Sequence, residues 1–160
     1  MEGVTSAATE VALRPTAYDS PEAAALITAL QAEYLVRYGG HDETRIHPAQ
    51  FRPPRGRFVV AWLDDVPVGC GGWREYSEPQ VAEIKRMFVA GTARRRGVAR
   101  RILAELERTA AAAGITRLIL ESGDQQPEAV ALYTSAGYRP TTPFGLYAAE
   151  IGSIHLAKDL

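Results

Sequence analysis

The residues most able to do chemistry lie between Glu83 and Arg101, where an apolar β-type run is followed by Arg94-Arg95-Arg96-Gly97-Val98-Ala99-Arg100-Arg101. A strand that ends in a short basic loop and gives way to a helix at a glycine points free backbone N–H groups and the positive end of a helix dipole at one spot. Gly97 and Ala99 leave room for an anion to approach the backbone, and the arginines at 94, 95, 96, 100 and 101 supply charge for more than one phosphate. A pyrophosphate with an additional phosphate suits that chemistry. A solvated arginine face on a surface helix is the plainer alternative. The run lacks the Gly-Lys-Ser/Thr of a Walker loop and the three glycines of a dinucleotide fingerprint.

The surrounding chain reads as elements able to hold such a site. Val11 to Pro15 suggests a first strand, and Ser20-Pro21-Glu22 opens a helix whose apolar residues Ala23, Leu26, Ile27, Leu30 and Tyr34 follow helical spacing until Gly39-Gly40. His41 to Gly56, rich in proline, is expected to be a connection with at most a short helical piece. Phe58–Leu63 and Pro67–Trp73 make two strands around an Asp64-Asp65 turn, and Val81 to Ala90 makes a third. Gly97 then begins a helix with Val98, Ile102, Leu106 and Thr109 on one face, closed by Gly114. Arg117–Ser122 is a short buried-type strand, Pro127 starts a helix with an Ala129, Leu132, Tyr133, Ala136 stripe, and Ser153 to Leu160 forms a last strand. Residues 1–10, small and polar, are expected to fray, leaving 11–160 as one domain.

Composition narrows the function classes. With 18 Lys+Arg against 19 Asp+Glu and a formal net charge of −1, the chain lacks the global basic excess of a nucleic-acid or anionic-membrane binder. Aromatic residues are not interleaved with the arginines as stacking platforms would be, which argues against an RNA- or DNA-binding domain. One cysteine, Cys70, rules out an internal disulfide and suits a buried thiol better than a nucleophile. His41, His47 and His155 have no metal-ligand spacing, so no metal is expected. No run approaches a membrane span, and a cytoplasmic location is expected.

Two blocks of sequence carry a family resemblance. Arg94-Arg95-Arg96-Gly97-Val98-Ala99 resembles the Arg/Gln-x-x-Gly-x-Gly/Ala signature of the GNAT superfamily of acetyl-CoA-dependent N-acetyltransferases. Gln126-Pro127-Glu128-Ala129-Val130-Ala131-Leu132-Tyr133, followed by Gly137-Tyr138, resembles that family's later Asn-x-x-Ala-x-x-Leu-Tyr block, with Gln126 where the family has asparagine. The resemblance implies an α/β fold of the α+β type: a mixed central sheet of six to seven strands, splayed between the fourth and fifth, flanked by about four helices. It also implies that the backbone of Met87, Phe88 and Val89 pairs with the pantetheine arm, that the N–H groups from Arg95 to Arg100 (Arg95, Arg96, Gly97, Val98, Ala99, Arg100) take the pyrophosphate beside Arg94, and that Gln126 and Tyr133 lie along the cofactor.

By the same resemblance, Glu83 precedes Arg94 by the eleven residues at which one branch of the superfamily places a general base. An ammonium must lose its proton before it can attack a thioester, so a carboxylate is needed nearby. The alternative is a strand glutamate paired with Lys85 or Arg86. Tyr133 falls where a hydroxyl would protonate the departing thiolate, or else packs in the core. Arg37, Tyr38, Arg74 and Arg86 are candidate acceptor-binding residues. A plain helix C-terminus with an arginine near its negative dipole end is the simpler reading of Arg37 and Tyr38, and Arg74 and Arg86 are as ambiguous. Phe144, Tyr147 and Trp73 belong either to an acceptor pocket or to the core. The expected activity is transfer of an acetyl group from acetyl-CoA to a primary amine of a small molecule or peptide. The rival is a non-catalytic acyl-CoA-binding regulatory module. A homodimer is compatible with either.

Overall fold

The computed structural model describes residues 10–160; of the expected frayed segment only Glu10 lies within them. Seven strands form one sheet: β1 (Val11–Pro15), β2 (Gly56–Leu63), β3 (Val66–Glu75), β4 (Val81–Val89), β5 (Arg117–Gly123), β6 (Arg139–Pro140) and β7 (Ser153–Asp159). Their order across the sheet is β1-β2-β3-β4-β5-β7-β6, antiparallel throughout except for the parallel pair β4–β5. The helices are α1 (Pro21–Tyr38), α2 (Val98–Ala112) and α3 (Pro127–Ser135), with 3-10 turns at Pro48–Phe51 and Gly91–Ala93. The mixed sheet agrees with expectation. Among the described residues three α-helices stand where about four were expected, because the connecting segments coil only into single 3-10 turns.

Local chemistry sets the helix ends. Ser20 Oγ accepts from Ala23 N–H at 3.2 Å, Pro21 fills the first helical position, and Gly39 ends α1 in the left-handed region at φ 75°. Strand alternation then sorts the core into two layers. On β2, Phe58 and Val60 face α1 and pack with Ala23, Leu26, Leu30 and Phe51. Val59 and Ala61 face the other way, into a cluster with Val98, Ile102 and Leu106 of α2. Trp73 Nε1–H donates to Thr109 Oγ1 at 3.0 Å, so the largest buried side chain is tied to α2 by a satisfied hydrogen bond.

Glycines on β3 permit this close stacking. A Cβ on Gly71 would lie 2.5 Å from Met87 Sδ and 3.1 Å from Ile102 Cγ2. Opposite it the ladder slips: Cys70 pairs with Phe88 but Gly72 pairs with Lys85, which leaves an extra residue on β4. Arg86 absorbs the bulge at φ 61°, and the Cys70 thiol donates to its carbonyl at 3.3 Å. Among the described residues no helix is long and apolar enough to cross a membrane.

Candidate active site

The parallel pair β4–β5 is short. Only Val81–Arg117, Ala82–Leu118 and Glu83–Ile119 pair, after which the strands part, leaving β4 from Ile84 to Val89 without a partner on that side. Side chains close the wedge between them. Met87, Leu120, Ala129, Gln126 and Tyr133 line a narrow cleft of about 40 Å³. It adjoins a cavity of about 300 Å³ walled by Tyr34, Tyr38, Asp42, Glu121, Gln126 and Tyr147, among others. Tyr34, Asp42, Glu121 and Gln126 border both spaces.

At the other end of β4 the arginine loop has the expected geometry. Arg95 and Gly97 both take positive φ, 65° and 73°, so the chain turns sharply into α2. The first bond of the helical ladder runs from Arg101 N–H to Gly97 O at 3.1 Å, and the N–H groups of Val98, Ala99 and Arg100 precede it, free of the ladder. The side chains divide. Arg95 and Arg96 are exposed, with no hydrogen bond or ion pair among the described residues. Arg94 turns back to Val89 O at 3.1 Å and pairs with Glu33. Arg100 donates to Ser135 Oγ at 3.0 Å, and Arg101 reaches away to Val11 O at 2.7 Å.

Glu83 lies outside the linings given above. Its carboxylate is buried against Arg74, whose Nη1 also donates to Arg45 O and Gln50 Oε1, each at 2.9 Å. Arg37 is likewise engaged, donating to Gln125 O and pairing with Glu128, both at 2.7 Å, which clamps the end of α1 to the start of α3. Of the four acceptor candidates, Tyr38 borders the larger cavity, where its hydroxyl donates to Gln126 Oε1 at 3.3 Å, and Arg86 borders the cleft. Tyr147 joins the cavity wall, Trp73 is core, and Phe144 packs edge-on against Tyr76 and His155.

Sequence reasoning passed over three residues here. Asp42, from the connection after α1, is held by Gln31, which accepts from its backbone N–H at 2.8 Å. Its Oδ2 accepts from Lys85 Nζ at 2.9 Å and from Arg86 Nη1. Burial pushes the Asp42 carboxyl up, but these two cations outweigh it and hold it well below the usual carboxylate range. Glu121 on β5 has the opposite balance: burial raises its carboxyl, against the pull of Lys85. A glutamate directly after the apolar run Leu118-Ile119-Leu120, still within the strand, was the available signal for it. Tyr34 was counted as one more apolar position of α1, yet it stands between the two spaces.

Burial also raises the Tyr133 hydroxyl, so it stays protonated at neutral pH; it is 6% exposed and has no hydrogen-bond partner among the described residues. The Cys70 thiol, buried on the far side of the bulge, is pushed up to about 12 and is no nucleophile at neutral pH.

A sheet parted at the parallel β4–β5 joint, with a cleft and a walled cavity beside the parting and an open helix end just past β4, suits acyl transfer, and comparison with known proteins places the chain. Residues 23–138 match the acetyltransferase (GNAT) family, and the chain belongs to it. It is 40% identical over 107 residues to an IAA acetyltransferase of Azospirillum brasilense, spanning 67% of this chain and 70% of that one. It superposes on an acyl-CoA N-acyltransferase structure from Klebsiella pneumoniae with a TM-score of 0.79 and 28% identity, over 95% and 99% of the two chains. A GNAT family acetyltransferase from Elizabethkingia anophelis with acetyl-CoA bound shares the fold at a TM-score of 0.66 and 16% identity, over 94% and 98%.

Proposed function

We propose that this chain is an acetyl-CoA-dependent N-acetyltransferase of the cytoplasm that acts on a primary amine by direct attack in a ternary complex. The observation that carries the reading is the parting of β4 from β5 beyond Glu83: it leaves main-chain groups unpaired along one wall of a cleft that ends at a cavity with a buried carboxylate. The donor set fits such a cofactor. Met87, Phe88 and Val89 offer backbone to an amide-bearing arm, Gln126 lines the same cleft as Met87, and the free N–H groups of α2 with Arg95 and Arg96 offer themselves to phosphates. The structure of the relative with acetyl-CoA bound is consistent with this assignment.

When bound, acetyl-CoA supplies an activated thioester. A backbone N–H at Met87 or Phe88 polarises its carbonyl as a preorganised donor. Glu121, a carboxylate on the wall shared by cleft and cavity whose carboxyl burial raises, takes the proton the ammonium must lose. The amine nitrogen bonds the carbonyl carbon, the C–S bond breaks, and the Tyr133 hydroxyl gives its proton to the departing sulfur. Glu83, locked to Arg74, is the second candidate for the base.

Release of free thiol from acetyl-CoA in the presence of amines tests the reading, and absence of turnover across small amines and peptides would overturn it. In the Tyr133→Phe variant kcat and kcat/KM should fall together by roughly 10- to 1000-fold, with cofactor affinity little changed.

A further inference from the structure

The charges around the larger cavity are unevenly spent. Four carboxylates border it: Asp42, Glu121, Asp124 and Glu150. No Lys or Arg does, and His41 is the one basic residue on the wall. The nearest cations are already engaged, Lys85 and Arg86 by Asp42, and Arg37 by Glu128 and the Gln125 carbonyl. What remains without a paired cation is acidic: Glu121, which accepts from Ser153 Oγ at 3.4 Å, and the exposed Asp124 and Glu150.

Spacing and the aromatic walls add to this. Asp124 N–H donates to Gly152 O at 2.9 Å just past the end of β5, and the chain then turns, with Gln126 N–H donating to Gly123 O at 3.1 Å. Glu121 on β5 and Asp124 in the turn beyond it stand about 10 Å apart along the backbone, and the turn lets both border the cavity. The rings of Tyr38 and Tyr147 flank the space between, and a tyrosine face attracts a cation. At the inner end the hydroxyl of Tyr34, like that of Tyr133, has no hydrogen-bond partner among the described residues, leaving two donors for a ligand where cavity meets cleft.

We propose that the acceptor is a short aliphatic diamine, one nitrogen of which is acetylated at Glu121 while the other is held as an ammonium by Asp124 and Glu150. This rests on the acyl-transfer reading above. The second ammonium keeps its proton throughout and takes no part in bond making; its contribution is to binding and orientation. An acceptor bearing a carboxylate would meet like charge at the mouth and be disfavoured.

The test compares diaminobutane with butylamine, which differ only in the second amine. With the full chain and saturating acetyl-CoA, KM for butylamine should exceed that for diaminobutane by about fivefold, the effect of one charge meeting two exposed carboxylates. Added salt should shrink the ratio. The Asp124→Asn, Glu150→Gln double variant should bring it close to unity, and its folding is checked by circular dichroism; Asp124→Asn alone should give an intermediate ratio. Equal KM values for the two amines in the wild type, or a ratio the variants do not move, would overturn the diamine assignment while leaving acyl transfer to amines standing. Turnover with neither these nor any other amine would remove both.

Discussion

Arg74 donates from both Nε, at 3.2 Å, and Nη2, at 3.0 Å, to one oxygen of Glu83, and both side chains are nearly buried. A carboxylate so held is braced between β3 and β4, whereas Glu121 across the parted strands faces the cavity.

That contrast separates the two candidates for the base. Glu121→Gln should lower kcat/KM by roughly 100- to 10,000-fold and erase the acidic limb of its pH profile while the fold survives. Glu83→Gln should leave Arg74 without its partner and cost about 3 kcal/mol of stability, read by denaturant unfolding. If instead Glu83→Gln removes the acidic limb at unchanged stability, Glu83 is the base.

Asp42 is expected to be a stability residue. Removing it strands Lys85 and Arg86 in a buried site, so Asp42→Asn should destabilise the chain by about 3–5 kcal/mol. Its carboxyl is depressed in the folded state, so its stabilisation is present above the unfolded value of about 3.9 and is lost as pH falls through the lower folded one. Glu121 has the reverse sign. With its carboxyl raised, the native state binds the extra proton, and stability declines as pH rises above about 4.3 toward the folded value. Unfolding of wild type against Asp42→Asn as pH falls below about 3.9, and against Glu121→Gln as pH rises above about 4.3, checks both signs.

At the arginine loop, Gly97→Val should weaken acetyl-CoA binding by at least about tenfold without unfolding the domain. No atom lies within 4 Å of where a Cβ would sit, so the added side chain occupies the open space at the helix end, and the residue is asked to hold φ 73°. Calorimetry on the folded variant reads the result. Coenzyme A without its 3′-phosphate should also bind the wild type less tightly, and equal affinities at low salt would free Arg95 and Arg96 from that role.

Much of this architecture was legible beforehand because it is written in local signals. Ser20-Pro21 and Gly39 bracket α1, the helical face of Val98, Ile102 and Leu106 marks α2, and Gly97 announces the turn into it. The two-residue strand β6 carried no periodicity to read, since Arg139 and Pro140 are defined only by pairing with Ala157 and Leu156. The acceptor side was the least legible. Asp42 lies in a proline-rich connection and Tyr34 on an apolar stripe; both acquire meaning from residues far along the chain. Nor does an arginine's position say whom it meets: Arg37, Arg74 and Arg101 are all bound to their own protein.

Only three residue pairs stitch β4 to β5. The sheet is thus two plates with a short seam, and whatever lies in the wedge does the work of the missing stitches. A ligand there binds the folded chain and has nothing comparable to grip in the unfolded one, so it shifts the folding equilibrium by mass action. Heat resistance then becomes a gauge of how full the wedge is: the protein would melt lower in a starved cell than in a fed one, with no change in its sequence.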